Sequence, residues 1–283
     1  MTQDTPKAEG IVLFVDIDNT LYSKDKGVDA LMGERINNYF QTKLGLDKEH
    51  ATELHHRYYK EYGIALDGLL RHHNIDIDEY NRLVDDSLPL DKILKRDEPL
   101  RQMFQRLDRT KVSKLWLFTN AYKTHGERVA KLVGVDDLID GLTYCDYYHT
   151  PLHCKPKPEA FEKAMKQAGV TDKSKCWFVD DSALNIKASK KFGWAENAYL
   201  HYPGAPEIPA GTPGVVEISH IEDLPKVWPD LFLPEPVKNT NGTINGTTNG
   251  TTNGTTNGII NGTNGGINGD GTNGSTNGGN PPS

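Results

Sequence analysis

Long apolar runs are absent from this sequence, and no segment approaches the length of a membrane span. Residues 1–10 are polar and lack the apolar core of a secretion signal. Cysteine is scarce, because Cys145, Cys154 and Cys176 are the only three and lack the spacing of metal ligands. We therefore expect reduced thiols, no membrane partner, and a cytoplasmic location with the nucleus as an alternative.

Positive charge is also limited. The 32 Lys and Arg residues face 39 Asp and Glu residues, which gives a formal net charge of −7. This balance argues against a nucleic-acid polymer as partner. A small anionic substrate stays compatible with it, because a bound cation reverses the field within one cleft. The sequence leaves the oligomeric state open.

Charge and apolar side chains are nearly missing from residues 238–283, where Asn, Gly and Thr repeat. Such a segment cannot bury enough surface to offset the entropy of ordering it, so we predict a disordered tail. The remaining residues are enough for one hydrophobic core and a smaller module.

Five short apolar runs predict buried strands. Between them lie helical patterns, one of which has Pro158 at its start and Gly169 at its end. Strands that alternate with helices are typical of an α/β fold with a parallel sheet and right-handed crossovers. The five runs are residues 11–15, 115–118, 141–144, 176–179 and 197–200.

One stretch interrupts this alternation directly after the first strand. Residues 28–44, 48–63 and 77–84 have apolar residues at helical spacing, and no strong strand pattern occurs among them. A helical insertion here would cover the strand ends as a cap. We predict a core domain of residues 1–21 and 97–237, and a cap domain of residues 22–96.

Polar side chains follow three of the predicted strands, and one further polar side chain lies in a connecting loop. The carboxyl ends of parallel strands lie at one edge of the sheet, so these side chains are expected to meet there. They are Asp16 and Asp18 after the first strand, Thr119 and Asn120 after the second, Asp180 and Asp181 after the fourth, and Lys155 in the loop before Pro158.

Each group alone has an ordinary structural explanation. Asp-x-Asp at a strand end is often a turn, the polar residues after the other two strands suit helix caps, and Lys155 is one of many lysines. Turn chemistry does not readily produce all four groups in this order at strand ends. We therefore interpret them as one active site.

The residue types suit phosphoryl chemistry. Crowded carboxylates repel one another unless a cation lies between them, and Mg²⁺ is the natural hard cation for oxygen ligands. One carboxylate can then attack phosphorus while its neighbour moves protons. Lys155 would supply positive charge beside the phosphoryl oxygens. The Thr119 hydroxyl and the Asn120 N–H would bind the remaining substrate oxygens.

At these positions the sequence resembles the haloacid dehalogenase (HAD) superfamily of phosphatases, with all four motifs in order. The resemblance implies a three-layer α/β core with an α-helical cap inserted after the first strand. It implies that Asp16 is the nucleophile and that Asp18 is the general acid/base. Thr119 and Lys155 match the second and third motifs. The implied Mg²⁺ ligands are Asp16, Asp18 through its backbone carbonyl, Asp181 directly, and Asp180 either directly or through a neighbour.

A closer resemblance is to the fungal pyrimidine 5′-nucleotidases, carried by residues 58–63, 68–69, 117–123 and 140–147. It implies substrates such as UMP and CMP, hydrolysed to nucleoside and phosphate through an aspartyl-phosphate. Aromatic and basic cap residues then become candidates for contact with the nucleoside, among them Tyr62 and Arg71. A packed helical stripe explains them as well.

Three alternatives remain open. Another small phosphoester, such as lysophosphatidic acid or a sugar phosphate, would suit the same chemistry. A dehalogenase or phosphomutase of the same superfamily is a second possibility, although a dehalogenase needs neither Asp18 nor the metal cluster. A non-catalytic binding protein with this fold is the third, and it would be expected to have lost a motif residue.

Overall fold

The structure, a computed structural model, describes residues 10–235. The predicted disordered tail, residues 238–283, lies outside the described residues, so its disorder stays a prediction. Among residues 10–235, no helix has both the length and the hydropathy needed to cross a bilayer.

Six parallel strands form a sheet with the order β3-β2-β1-β4-β5-β6. The α/β prediction with a parallel sheet is therefore confirmed. Each of the five predicted runs coincides with a strand, although the run 141–144 extends one residue beyond β3, and only β6 was not predicted. The strands are β1 Ile11–Val15, β2 Val112–Phe118, β3 Gly141–Thr143, β4 Cys176–Asp180, β5 Glu196–Leu200 and β6 Val215–Ile218.

Helices connect the strands, and several begin and end where the sequence indicates. One of them begins at Pro158, whose fixed φ suits a first helical turn, and ends before Gly169. The helices are α1 Val28–Leu44, α2 Lys48–Tyr62, α3 Ala65–His72, α4 Ile77–Leu83, α5 Leu90–Ile93, α6 Glu98–Gln105, α7 Lys123–Val133, α8 Pro158–Ala168, α9 Ala183–Phe192 and α10 Leu224–Val227.

Successive residues of a strand face opposite sides of the sheet. Helices cover both sides, so the sheet is the middle of three layers. Leu13 and Val15 of β1 pack into a cluster with residues of α6, α7 and α10. Val12 and Phe14 pack on the other side with residues of α8 and α9. The ring of Phe14 also stacks on Trp194 with centroids 4.5 Å apart. The central strand is thus buried on both faces, which fixes the position of the residues that follow it.

Helices α1 to α5 form an insert between β1 and β2, as the sequence predicts. The insert has a hydrophobic cluster with contributions from α1 to α4, including Phe40, Tyr58 and Leu66. Cys145 and Tyr147, from the loop between β3 and α8, belong to the same cluster. The insert therefore packs against a loop that leads to Lys155. Its boundaries as a separate cap domain remain a prediction.

Candidate active site

The carboxyl ends of β1, β2 and β4 meet at one edge of the sheet, as predicted. Asp16 follows β1 directly, and its backbone N–H donates to the carbonyl of Val179 at 2.9 Å. A cavity of about 550 Å³ opens at this edge, and we call it the strand-edge cavity. Its lining includes six of the predicted residues: Asp16, Asp18, Thr119, Asn120, Lys155 and Asp181.

Lys155 is buried although it is a lysine, with only 1% of its surface exposed. Its ammonium donates to Asp16 Oδ1 at 2.6 Å, to Asp180 Oδ2 at 2.7 Å and to the Phe118 carbonyl at 2.8 Å. All three ammonium protons therefore have acceptors. These contacts hold the positive charge beside the Asp16 carboxylate, where the sequence places it.

Asn120 fixes the backbone of Lys155. Its Oδ1 accepts from the Lys155 N–H at 2.7 Å, and its Nδ2 donates to the Lys155 carbonyl at 2.8 Å. The side chain of Asn120 is therefore occupied by the protein, and only its backbone N–H fits the predicted contact with substrate. The hydroxyl of Thr119 accepts from the Ala121 N–H at 3.0 Å and keeps its own proton for a ligand.

Oxygens of Asp16, Asp180 and Asp181 lie within 4.8 Å of one another. Burial raises the pKa of Asp16 well above its ordinary value, although Lys155 opposes this shift. Burial and then the charge of Asp180 raise the pKa of Asp181 to about 7. Three crowded, poorly solvated carboxylates are a donor set that fits a hard divalent cation such as Mg²⁺.

Asp180 already accepts four hydrogen-bond contacts from three donors. Its Oδ1 accepts from the Ser182 N–H at 2.8 Å, and Asn185 Nδ2 lies 3.1 Å from both oxygens. Lys155 supplies the fourth contact, on Oδ2. These bonds suit a residue that orients Lys155, which leaves Asp181 as the better candidate for direct metal contact.

The side chain of Asp18 points away from this cluster. Its Oδ1 accepts from the Tyr22 hydroxyl at 2.6 Å and from His125 Nε2 at 2.7 Å. Burial would raise the pKa of Asp18, but the charge of His125 and these two hydrogen bonds outweigh it and lower that pKa. Asp18 and Asp16 therefore occupy different electrostatic surroundings. The predicted metal contact of Asp18, through its backbone carbonyl, stays a prediction.

A second cavity of about 290 Å³ lies between the insert helices and the loops after the strands, and we call it the insert cavity. Its walls are mostly apolar or aromatic, and it adjoins the strand-edge cavity because both are lined by Asp18, Tyr59, Ile64 and Asn120. A molecule bound at the strand edge could thus extend beneath the insert helices.

Tyr62 and Arg71 line neither of these two cavities. The hydroxyl of Tyr62 pairs with His72 Nε2 at 2.8 Å, and Arg71 Nε donates to Asp67 Oδ1 at 2.7 Å. The structure therefore engages both side chains within the insert. Their contact with a substrate stays a prediction, and Tyr59 is the cap tyrosine that lines both cavities.

The family model of haloacid dehalogenase-like hydrolases matches residues 12–193 of this chain. The chain belongs to this family. A relative, Phosphate metabolism protein 8 of Saccharomyces cerevisiae, is 42% identical over 197 residues, which are 67% of this chain and 61% of that protein. The matched part of this haloacid dehalogenase-like hydrolase thus spans less than two thirds of the relative's length.

Two solved structures show the same fold as this haloacid dehalogenase-like hydrolase. CbbY from Rhodobacter sphaeroides in complex with phosphate has a TM-score of 0.54 at 15% identity and covers 76% of this chain and 96% of its own. The hydrolase YfnB from Bacillus subtilis bound to magnesium has a TM-score of 0.50 at 14% identity, covering 77% of this chain and 98% of its own.

Sequence reasoning missed two of the three residues that surround Asp18 in this family member, Tyr22 and Asp85, and it left the third, His125, with two explanations. Tyr22 and His125 bond Asp18 directly, and Asp85 bonds the other ring nitrogen of His125 at 2.6 Å. The position of His125, at the start of the helix after Asn120, predicts that it lies near the site, although the polarity of a helix start explains it as well. Asp85 gave no signal, because it follows α4 in the insert, 40 residues away from His125.

Gly63, at the end of α2, lies against the backbone of Lys155. It has a φ of +89°, and a Cβ at this position would lie 2.9 Å from the Lys155 carbonyl oxygen. We expect Gly63→Ala to lower the free energy of unfolding by about 2–3 kcal/mol, from left-handed strain and overpacking together. It should also reduce kcat, because the Lys155 loop must move. Urea unfolding and phosphate release measure the two effects.

Gly45→Ala is the matched control for this substitution. Gly45 ends α1 with a φ of +66°, and no atom lies within 4 Å of a Cβ built there. We expect it to lose only about 1 kcal/mol, from left-handed strain, and to keep full activity. Equal losses in the two variants would show that Gly63 does not support the position of Lys155.

Proposed function

We propose that this chain is a Mg²⁺-dependent phosphomonoesterase that hydrolyses pyrimidine nucleoside 5′-monophosphates, such as UMP and CMP. One observation carries the proposal. A buried carboxylate, Asp16, pairs with a buried ammonium, Lys155, at a cavity that a second and separately oriented carboxylate, Asp18, also lines. This is the arrangement that a covalent nucleophile and a proton donor need.

The reaction has two half-reactions. In the first, a carboxylate oxygen of Asp16 bonds to phosphorus while the ester P–O bond breaks, and Asp18 gives a proton to the leaving oxygen. In the second, Asp18 takes a proton from water as the water oxygen attacks phosphorus, and the bond from Asp16 to phosphorus breaks. Lys155, held by its hydrogen bonds, neutralises charge on the phosphoryl oxygens throughout.

Asp16, Asp181 and the backbone carbonyl of Asp18 would hold the magnesium ion, with Asp180 behind them. When bound, Mg²⁺ supplies positive charge that reduces the repulsion between an anionic carboxylate and a phosphate dianion. The Thr119 hydroxyl donates a hydrogen bond to a phosphoryl oxygen.

The insert cavity supports a pyrimidine nucleoside as the leaving group. It adjoins the strand-edge cavity at Asp18, where the leaving oxygen would be protonated. Its walls combine apolar and aromatic side chains, including Met32 and Tyr147, with a few polar ones such as His55. Mostly apolar and aromatic walls with some polar groups suit an aromatic ring with polar edges, such as the base of a pyrimidine nucleoside. The relatives described above, one named for phosphate metabolism, one bound to phosphate and one bound to magnesium, support the reaction class.

A phosphate-release screen tests the proposal. The substrates are UMP, CMP, AMP, GMP, glucose 6-phosphate, glycerol phosphate and lysophosphatidic acid, each with Mg²⁺ and with EDTA. We expect the highest kcat/KM for UMP and CMP, about tenfold or more above the purine nucleotides, because under this proposal the insert cavity is matched to the smaller base. Phosphate release should stop in EDTA.

Each outcome bears on a separate part of the proposal. A preference for purine nucleotides or for lysophosphatidic acid would overturn the substrate class and keep the reaction. Unchanged turnover in EDTA would overturn the role of Mg²⁺. If no substrate released phosphate, the proposed phosphomonoesterase activity itself would be overturned. The alternative of a binding protein with this fold would then be favoured.

A further inference from the structure

His125 lies in the interior between the core and the insert, with none of its surface exposed. Its Nε2 lies 2.7 Å from Asp18 Oδ1, and its Nδ1 lies 2.6 Å from Asp85 Oδ1. The three residues come from three parts of the chain: the loop after β1, the insert after α4, and α7. An unbroken chain of hydrogen bonds therefore runs from a buried insert carboxylate to Asp18.

The ring of His125 is fixed at both nitrogens. Each ring nitrogen faces a carboxyl oxygen and is assigned as the donor to it, so the proton that Asp18 transfers belongs to its other oxygen, Oδ2. Asp85 is itself only 2% exposed, and its second oxygen, Oδ2, has no hydrogen-bond partner within the described residues. The buried Asp85 carboxylate does not by itself stabilise the fold. An apolar residue of similar volume would pack here without the cost of removing a carboxylate from water. The position of Asp85 is better explained by what it does to His125.

Both donors to Asp18 contact the same oxygen. The Tyr22 hydroxyl and His125 Nε2 each donate to Oδ1, at 2.6 and 2.7 Å. Oδ2 is thereby left for the substrate, and the Asp18 side chain, 35% exposed, lines both cavities. Two donors on one oxygen also prevent the carboxylate from rotating freely.

We propose that Asp85 and His125 form a buried dyad that positions Asp18, so that Oδ2 alone faces the scissile ester and the attacking water. His125 and Asp85 are positioning residues, because neither contacts the reacting atoms. The inference rests on the proposed role of Asp18 as acid and base. Since Asp85 belongs to the insert, the dyad also makes the orientation of Asp18 depend on how the insert is seated on the core.

Two substitutions of His125 separate its two contacts. Asn at this position places an amide nitrogen near the Nδ1 position and loses the contact with Asp18. Gln places its amide nitrogen near the Nε2 position and keeps that contact. We expect His125→Asn to lower kcat for UMP about 100-fold with KM changed less than threefold, on the scale of lost general acid–base catalysis. His125→Gln and Asp85→Asn should each lose about tenfold.

A substrate with a good leaving group gives a readout that structural damage would not produce. p-Nitrophenyl phosphate needs no proton for its leaving group, so only the second half-reaction still needs Asp18. In His125→Asn we expect a rapid burst of p-nitrophenol close to one equivalent, followed by turnover about 100-fold slower than wild type. The phosphoenzyme should accumulate and be seen as a mass increase of one phosphoryl group.

The control is Ser189→Ala. It removes an equally buried hydrogen bond, which runs from Ser189 of α9 to Asn197 of β5. It should lose stability and keep wild-type kinetics on both substrates. A kcat in His125→Asn within threefold of wild type, or a burst that falls together with turnover, would overturn the dyad. Asp18→Asn separates the two proposals: full turnover in that variant overturns the role of Asp18, whereas slow turnover there with normal His125 variants overturns the dyad alone.

Discussion

Asp16→Asn is expected to abolish phosphate release while the protein stays folded. The amide cannot form the bond to phosphorus that the carboxylate forms, so kcat should fall by about four orders of magnitude or more, the scale of losing a covalent nucleophile. Steady-state phosphate release from UMP, together with mass spectrometry for the phosphoenzyme, measures the loss.

The stability of this variant should move in the opposite direction. Burial disfavours the ionised form of Asp16, whose pKa is raised, and an amide still accepts from Lys155. We therefore expect Asp16→Asn to unfold at the same or a higher urea concentration than wild type when Mg²⁺ is removed. Asp91→Asn, an exposed aspartate of α5, is the control and should change neither property. Substantial phosphate release by pure Asp16→Asn would end the assignment of the nucleophile.

The convergence at the sheet edge could be predicted because topology imposes it. Lys155 Nζ and Asp16 Oδ1 lie 2.6 Å apart although 139 residues separate them in sequence. In a parallel sheet every strand ends at the same edge, so a polar residue after each apolar run is sufficient to indicate the site. No knowledge of the side-chain packing is needed for that inference.

Elements with weak local patterns could not be predicted in this way. Strand β6, Val215–Ile218, is a short edge strand in which only Ile218 is buried, so it has no apolar run. Helix α3 contains Gly68, an unfavourable helix residue. A Cβ there would lie 2.2 Å from the ring of Tyr58, so close packing of α2 against α3 favours glycine. Both elements depend on packing against a neighbouring element, β5 for β6 and α2 for α3.

The surroundings of Asp18 were beyond sequence reasoning for a related reason. His125 and Asp85 are ordinary residues of a helix start and a turn until the insert packs on the core. The same limit applies to Tyr62, whose helix was predicted without knowing which face turns inward, and to Arg71, whose helix α3 was not predicted. The sequence thus predicts which residues meet at the strand ends, and packing decides which residues orient them.

Lys155→Met is expected to cause the largest loss of stability of any substitution at this site. Methionine fills a similar volume without the charge, which leaves Asp16 and Asp180 buried and facing each other. Removing one partner of a buried ion pair typically lowers the free energy of unfolding by about 3–5 kcal/mol. Urea unfolding in EDTA measures this loss, and kcat should fall about 1,000-fold because the phosphoryl oxygens lose their fixed cation.

Lys114→Met is the matched control for Lys155→Met. Lys114 Nζ donates to the Ala168 carbonyl at 2.6 Å and has no carboxylate partner among residues 10–235, so its loss should lower stability by only about 1 kcal/mol. Adding Asp180→Asn to Lys155→Met should restore part of the stability, since it removes one of the two unpaired charges. If Lys155→Met were no less stable than Lys114→Met, the charge of Lys155 would not be what holds these carboxylates together.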